Sequence, residues 1–279
     1  MREIDLHTHT TASDGTLSPR QLVRLAKENG LKAIAITDHD TTTGFDEAFA
    51  TGKELGVEVI PGIEISTKYS GPIHILGYYI DPHSPELAPV LNWVVEDRDR
   101  RNAKMAQLMA DDGLPVSYDE MKKRFGSVIG RPHFGQILVE LGLAESINDA
   151  FDRYIEKGQK YYMPRSFLSI ESSIELICHA GGIAVLAHPF QYKRDDAGLR
   201  ALIEHCMESG LKGIECRYSG YDEEHVAYLE ALADEYGLIK TGGSDFHGSN
   251  KPHIELGSGI NGELEIPYSF LKAFQKTDE

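Results

Sequence analysis

Ile4, Leu6 and Thr8 alternate with Asp5, His7 and His9, the two-residue period of a strand, so His7 and His9 fall on one side of it. Residues 33–37 (Ala-Ile-Ala-Ile-Thr) form a short, almost wholly apolar run, which suits a parallel strand covered on both faces. Further strand patterns at 57–64, 73–78, 182–187, 213–216 and 238–241 bring the expected strands to seven. Between them the period lengthens to that of helices. Ser18-Pro19-Arg20-Gln21 reads as a capping box with proline at the first helical position. Leu22, Val23, Leu25 and Ala26 then supply an apolar face before Gly30 ends the helix. Helices are also expected over 44–55, 169–180, 199–209 and 223–236. The rhythm breaks between 85 and 160, where no strand signal survives. A long helix fits 86–111, Ser117 opens another, and two more run over 131–142 and 146–158. The pattern predicts an α/β fold with an all-helical insertion: a first barrel part at 1–82, a helical cap at 83–162 and a second barrel part at 163–279.

Composition narrows the class. A chain of 279 residues, 41% hydrophobic and 26% charged, can bury the core of a barrel with an addition. No run approaches the ~18 apolar residues of a membrane span, and no basic stretch leads into an apolar leader. The expected location is the cytoplasm, with no membrane partner. The three cysteines, Cys178, Cys206 and Cys216, are odd in number and lack C-x-x-C spacing, so they read as buried thiols. The net charge of -16 should repel nucleic acid, so stable DNA binding is not expected, and a phosphate-handling site needs a local reversal of sign.

The chemistry lies at the strand ends. Strand one carries His7 and His9, with Asp14 just beyond it. Strand two ends in His39, strand three in Glu64, and strand four carries His74. Strand five ends in His188 and strand seven in Asp245 and His247. In a barrel of parallel strands such ends converge on one face. Six imidazoles and three carboxylates without a thiolate suit manganese, iron or zinc better than copper(I) or an iron–sulfur cluster. Nine groups are too many for one ion and enough for two or three. His179, His205 and His225 fall on helices and His83 in a turn, where structural or solvated roles are expected. Asp5, Asp38 and Asp40 neighbour the candidate ligands and could orient imidazoles from behind, or serve as caps.

His7-Thr8-His9, Asp14-Gly15, Thr37-Asp38-His39-Asp40, Pro61-Gly62-Ile63-Glu64, His74, Ala187-His188-Pro189 and Gly243-Ser244-Asp245-Phe246-His247 resemble the motifs of the polymerase and histidinol phosphatase (PHP) family. The resemblance spans the α/β part from end to end. It implies a distorted seven-stranded (β/α) barrel, TIM-like, with two or three divalent metals and phosphoester hydrolysis. Mn²⁺ is the first expectation, with Fe²⁺ or Zn²⁺ as alternates. By the same resemblance His7, His9, Glu64 and Asp245 surround one metal, and Glu64 bridges to a second that His74 and His188 complete. Asp14, His39 and His247 hold a third. A hydroxide bridging two ions and held by Glu64 is then the expected nucleophile, and the general acid stays unassigned. Three ions bring roughly +6 against roughly -3 from the carboxylates, which reverses the sign locally.

Within the family the insertion resembles a branch of nucleoside 3',5'-bisphosphate phosphatases and 5'-to-3' exonucleases. Gly130-Arg131-Pro132-His133-Phe134 is similar to that branch's phosphate-recognition segment, so Arg131 and His133, with Arg165 after Pro164, are the expected phosphate contacts. The expected substrate is a small phosphorylated nucleotide, losing its 3'-phosphate, with trimming of short RNA as a second activity. The rivals are a phosphatase for another small phosphomonoester, such as histidinol phosphate, and a non-catalytic metal-stabilised binding module. The sequence leaves the oligomeric state open. On this reading residues 1–14 feed two metals. Removing them is expected to abolish divalent-metal uptake, read by elemental analysis of the purified protein; a truncated chain that keeps its full complement contradicts the reading.

Overall fold

The computed structural model describes residues 2–126 and 128–274. Among them eight strands form one sheet: β1 (Ile4–Asp5), β2 (Ala33–Ile36), β3 (Glu58–Lys68), β4 (Pro72–Tyr78), β5 (Leu168–Ser169), β6 (Ile183–Leu186), β7 (Gly213–Tyr218) and β8 (Ile239–Gly243). Their order is β1-β2-β3-β4-β6-β7-β8, and β5 pairs with β3 outside this path. The two ends of the path meet. Leu6 N–H donates to Gly242 O at 3.2 Å, Asp245 N–H to His7 O at 2.8 Å and His9 N–H to Phe246 O at 2.9 Å. These bonds bring the sheet close to a barrel, the TIM-like form expected from the motifs.

The parallel layer suggested by the apolar runs has one exception. β4 runs antiparallel to both β3 and β6. Only three residues, Tyr69, Ser70 and Gly71, join β3 to β4, too few for the crossover a parallel pair needs. Ser70 at φ 50° and Gly71 at φ 143° make the turn. The reversal matters for the site. His74 lies near the start of β4, not at a C-terminal strand end, yet it pairs with Ser66, two residues beyond Glu64 on β3. The two-residue β5 was too short to leave a pattern.

The helices follow their sequence signals. α1 (Pro19–Glu28) opens with the reciprocal Ser18–Gln21 capping box, and α2 (Phe45–Leu55) ends on Gly56 in the left-handed region. The helices Ile170–His179, Asp196–Glu208 and Glu223–Tyr236 are capped by Ser169, Asp195 and Asp222. By packing the chain divides into two units, one of Met1–Pro89 with Leu168–Glu279 and one of Val90–Phe167. In the first, Ile4, Leu6, Ala33, Ala35, Leu76 and Val185 fill the barrel core. Leu264, Ile266, Leu271 and Phe274, from the C-terminal segment and its short helix (Ser269–Phe274), join the same cluster. The second unit holds most of the long helix Leu87–Asp111, then Tyr118–Phe125, Arg131–Glu140 and Ile147–Ala150, the last running into a π-helical turn at Phe151–Ile155. Its core is Met105, Met109, Met121, Ile129, Phe134 and Leu138.

One glycine is forced by the barrel closure. A Cβ at Gly243 would stand 2.2 Å from His7 Cβ and 2.4 Å from His7 N. Gly243→Ala should therefore cost about 1–3 kcal/mol of stability through overpacking, measured by chemical denaturation. Unchanged stability would mean that β8 can draw away from His7 at no cost.

Candidate metal centre

The candidate ligands lie within a strand (Glu64 and His74) or on backbone that follows one. His7 and His9 follow β1, where bonds to the 242–246 segment hold the chain extended. Their ring centroids lie 5.2 Å apart. His39 follows β2 and forms a parallel bridge with Glu64 of β3. Asp40 N–H donates to Glu64 O at 3.0 Å, and Glu64 N–H to Asp38 O at 3.2 Å. His188 follows β6 with φ 26°, and Asp245 follows β8 with φ 57°. Two non-glycine residues in or near the left-handed region, both at one site, mark backbone that the surroundings hold against its preference.

The nine side chains converge. Glu64, 1% exposed, sits at their centre. Its Oε2 lies 3.3 Å from His7 Nε2, 3.3 Å from His9 Nε2 and 3.0 Å from His39 Nδ1. Its Oε1 lies 2.8 Å from His74 Nδ1 and 3.0 Å from His188 Nε2. Asp245 Oδ1 is 3.2 Å from His9 Nε2, 3.6 Å from His7 Nε2 and 3.3 Å from His247 Nδ1. Asp14 Oδ1 is 3.2 Å from His247 Nε2, and Asp14 Oδ2 is 3.9 Å from His39 Nε2. Four groups could each hold an ion: His9, Asp14, His39 and His247; His7, His9 and Asp245; His7, Glu64 and His188; His39, Glu64 and His74.

The donor set fits metal ions on physical grounds. His7 Nε2, both ring nitrogens of His9, His39 Nδ1 and Glu64 Oε2 are buried without a hydrogen-bond partner. Such atoms are costly unless something satisfies them. They are close together but not in hydrogen-bonding geometry. Two ligand atoms each ~2.1 Å from a shared ion stand ~3.0–3.4 Å apart, the spacing found here.

Charge supports the same conclusion. Burial pushes the Glu64 carboxyl up, but the imidazoles of His39, His74 and His7 more than reverse this and hold it well below the usual range. For Asp245 burial is likewise outweighed, here by Lys251, His247 and His7, and for Asp14 by His247 and His39. All three stay ionised. Burial depresses the His9 imidazole, while Asp245 and Glu64 outweigh it and raise it to about 9. His39, dominated by burial, falls to about 3. The protein holds two buried anions, Glu64 and Asp245, and the partly exposed Asp14, and they need cations, whether protons on imidazoles or metals.

The surrounding carboxylates act differently from one another. Asp5 accepts from Ser244 N–H at 2.8 Å, Ser244 Oγ–H at 2.5 Å, Gly257 N–H at 2.8 Å and His7 N–H at 3.2 Å. Asp38 accepts from Thr10 N–H at 2.7 Å and from the Thr10 and Ser13 hydroxyls at 2.8 and 2.5 Å. Asp40 accepts from Ser66 N–H at 2.9 Å. In these bonds they pin backbone and hydroxyls, not imidazole rings. The carboxylate that does face a ring is Glu215, whose Oε1 is 3.0 Å from His7 Nδ1. Sequence reading passed over it, although a lone charge in the apolar run Gly213-Ile214-Glu215-Cys216 was the available signal. Tyr218 and Lys251 were also missed; both donate to Asp245 Oδ2, at 2.6 and 2.5 Å.

The expected phosphate contacts lie in the helical unit. Arg131 begins its helix, 3.2 Å from Glu156 Oε1 and over the Phe151 ring. His133 Nδ1 accepts from Gly130 N–H at 2.9 Å, which commits that nitrogen to the helix start. Arg165 lies over Phe167. Two unforeseen arginines belong with them, Arg98 and Arg101, three apart on the long helix and both buried. Arg101 is pushed down to about 10 by its burial and then by the charges of Arg165, Arg131 and Arg98. The run Arg98-Asp99-Arg100-Arg101 was the signal.

Comparison with known proteins fixes the family. A model of the PHP domain matches residues 5–239. The chain belongs to the PHP family. This PHP protein is 36% identical over 261 residues to a 5'-3' exoribonuclease of Haemophilus influenzae, spanning 93% of this chain and 95% of that one. It is 31% identical over 260 residues to a 3',5'-nucleoside bisphosphate phosphatase of Chromobacterium violaceum, spanning 92% and 91%. A solved Bifidobacterium adolescentis protein, assigned as a metal-dependent phosphoesterase, superposes with a TM-score of 0.82 at 32% identity over 97% of this chain and 94% of that one. As a PHP protein the chain is a phosphoesterase and therefore a hydrolase, of a kind that depends on divalent metal. No helix among the described residues is long and apolar enough to cross a membrane.

The metal-free PHP protein should lose stability as pH rises. The His9 imidazole is raised from an ordinary 6.5 to about 9, so its contribution is full below 6.5 and fades as pH climbs through 9. The melting temperature of chelator-stripped protein is expected to fall between pH 7 and 9, while metal-loaded protein holds, because ions replace protons as the counter-charge. A flat profile without metal would refute this account of the charges.

Proposed function

We propose that this PHP phosphoesterase removes the 3'-phosphate of nucleoside 3',5'-bisphosphates and also trims short RNA from the 5' end. His7, His9, Asp14, His39, Glu64, His74, His188, Asp245 and His247 hold two to three divalent ions, with Mn²⁺ the first choice and Fe²⁺ or Zn²⁺ as alternates. Glu64 links the ligand groups, because its two oxygens face different imidazoles. When bound, the ions lower the pKa of a nucleophilic water towards neutrality and neutralise the phosphoryl oxygens. Tyr218 and Lys251, both on Asp245 Oδ2, leave its Oδ1 facing His9 and His7 and so keep that carboxylate aimed at the cluster.

The observation that carries the substrate assignment is the gathering of Arg98, Arg101, Arg131 and Arg165 in one helical unit. Arg101 Nε is buried without a hydrogen-bond partner, and its Nη1 reaches only Met105 Sδ, at 3.5 Å. Asp99 accepts from Tyr118 and Lys122, and Asp97 from Ser166 N–H and Arg100. Guanidinium groups bind phosphate through paired N–H donors, and the buried Nε of Arg101 is one such donor without a partner. A substrate with a second phosphate supplies that partner. A phosphatase for a single small phosphomonoester, histidinol phosphate included, has no use for it. Both relatives named above act on ligands of the proposed kind, a nucleoside bisphosphate in one case and RNA in the other.

Turnover by Mn²⁺-reconstituted protein tests this reading. Wild type and Arg101→Ala are compared on a nucleoside 3',5'-bisphosphate, a nucleoside 3'-monophosphate, histidinol phosphate and 5'-phosphorylated short RNA. The wild type is expected to prefer the bisphosphate. The variant should lose about 10–100-fold in kcat/KM on it, the worth of a charged hydrogen bond, and change little on the monophosphate. Equal losses on both, or a preference for histidinol phosphate, would defeat the proposal.

A further inference from the structure

Glu215 lies in the middle of β7, fully buried, with its carboxylate turned towards the barrel end where the histidines gather. A buried carboxylate must be matched by donors or cations. Glu215 has one partner for each oxygen. Oε1 is 3.0 Å from His7 Nδ1, and Oε2 accepts from the His188 backbone N–H at 2.8 Å. These partners follow different strands, His7 after β1 and His188 after β6, and both are candidate metal ligands. The strand is irregular at this point. The register with β8 shifts between Glu215 and Arg217, a local bulge of the kind that re-aims a side chain.

Each contact has a separate consequence. A carboxylate facing Nδ1 makes Nδ1 the protonated nitrogen of His7. The lone pair is then on Nε2, the atom that faces Glu64 Oε2 and Asp245 Oδ1. On the other side, His188 is the residue at φ 26°, a conformation that costs energy and persists only if it is held. Its backbone N–H has Glu215 as that hold, while its Nε2 faces Glu64. One carboxylate thus governs the tautomer of one candidate ligand and the backbone of another.

We propose that Glu215 is the positioning residue of the centre: it fixes His7 as the Nδ1–H tautomer and clamps the strained His188, so that both present Nε2 to divalent metal. The assignment rests on the reading of these histidines as metal ligands.

Glu215→Gln has nearly the same shape but only one acceptor oxygen. If that oxygen serves His188, the amide NH₂ meets His7 Nδ1 and favours the tautomer that cannot ligate through Nε2. If it serves His7, two donors meet at His188. Metal-stripped wild type and E215Q would be titrated with Mn²⁺ in competition with a chelator, and the Zn²⁺-loaded proteins examined by long-range ¹H–¹⁵N NMR of the histidine rings. Expected are a 10–100-fold weaker affinity in E215Q, the range for loss of a partner behind a ligand, and turnover recovered by excess Mn²⁺ with KM unchanged. A purely structural role would lower stability without a metal-rescuable loss. The wild-type spectrum is decisive even if E215Q fails to fold: His7 must show a protonated Nδ1 and a metal-bound Nε2, and the opposite assignment overturns the proposal. Equal affinity in E215Q overturns it as well, with the metal reading intact. Wild type that takes up no divalent ion overturns the metal reading and this assignment together.

Discussion

The centre is built around one carboxylate. Glu64 sits with five imidazoles within 3.3 Å of its two oxygens, and almost no water reaches it. An anion so placed is stable only if positive charge surrounds it. The fold supplies that charge by closing a sheet on itself. The five histidines come from four strands or strand ends, His7 and His9 sharing the first, so the charge balance of the site and the closure of the barrel depend on each other. Backbone bonds between the segments after β1 and β8 put His7 and His9 beside Asp245, and the absent Cβ of Gly243 lets the two segments approach.

Around this centre lies a second layer of buried acids with divided roles. Asp5 and Asp38 tie loops to strands through backbone amides and hydroxyls, and burial raises both despite these bonds. They fix where the ligand-bearing segments run. Glu215 differs from them in facing both a ring nitrogen and a strained backbone. Preorganisation of this kind costs folding stability locally, and the packed barrel core offsets it.

The helical unit solves the opposite electrostatic problem. The chain carries a net charge of -16, and any phosphorylated ligand meets that field first. Two local reversals of sign answer it, the cluster fit for divalent ions in the barrel unit and the four arginines in the helical one. Neither follows from composition.

The sequence by itself determined much of this protein. Strand and helix periods, capping residues and the ordered His, Asp and Glu motifs are local, and local signals survive in a linear string. The PHP family and the barrel are legible in them, and so are the nine residues on or near the strands that converge. Tertiary structure decided what depends on reversals and on distant neighbours. β4 runs antiparallel because a three-residue turn allows nothing else, and that places His74 by pairing with Ser66 instead of by a strand terminus. Glu215 looked like one polar residue in an apolar strand, and its partners lie 208 and 27 positions away. Arg98 and Arg101 alternate with acids along a helix, and only the fold brings the charges of Arg131 and Arg165 to bear on Arg101. A pattern reports which side of an element a residue faces, but what stands opposite is set by chain closure, and the chemistry depends on the opposite side.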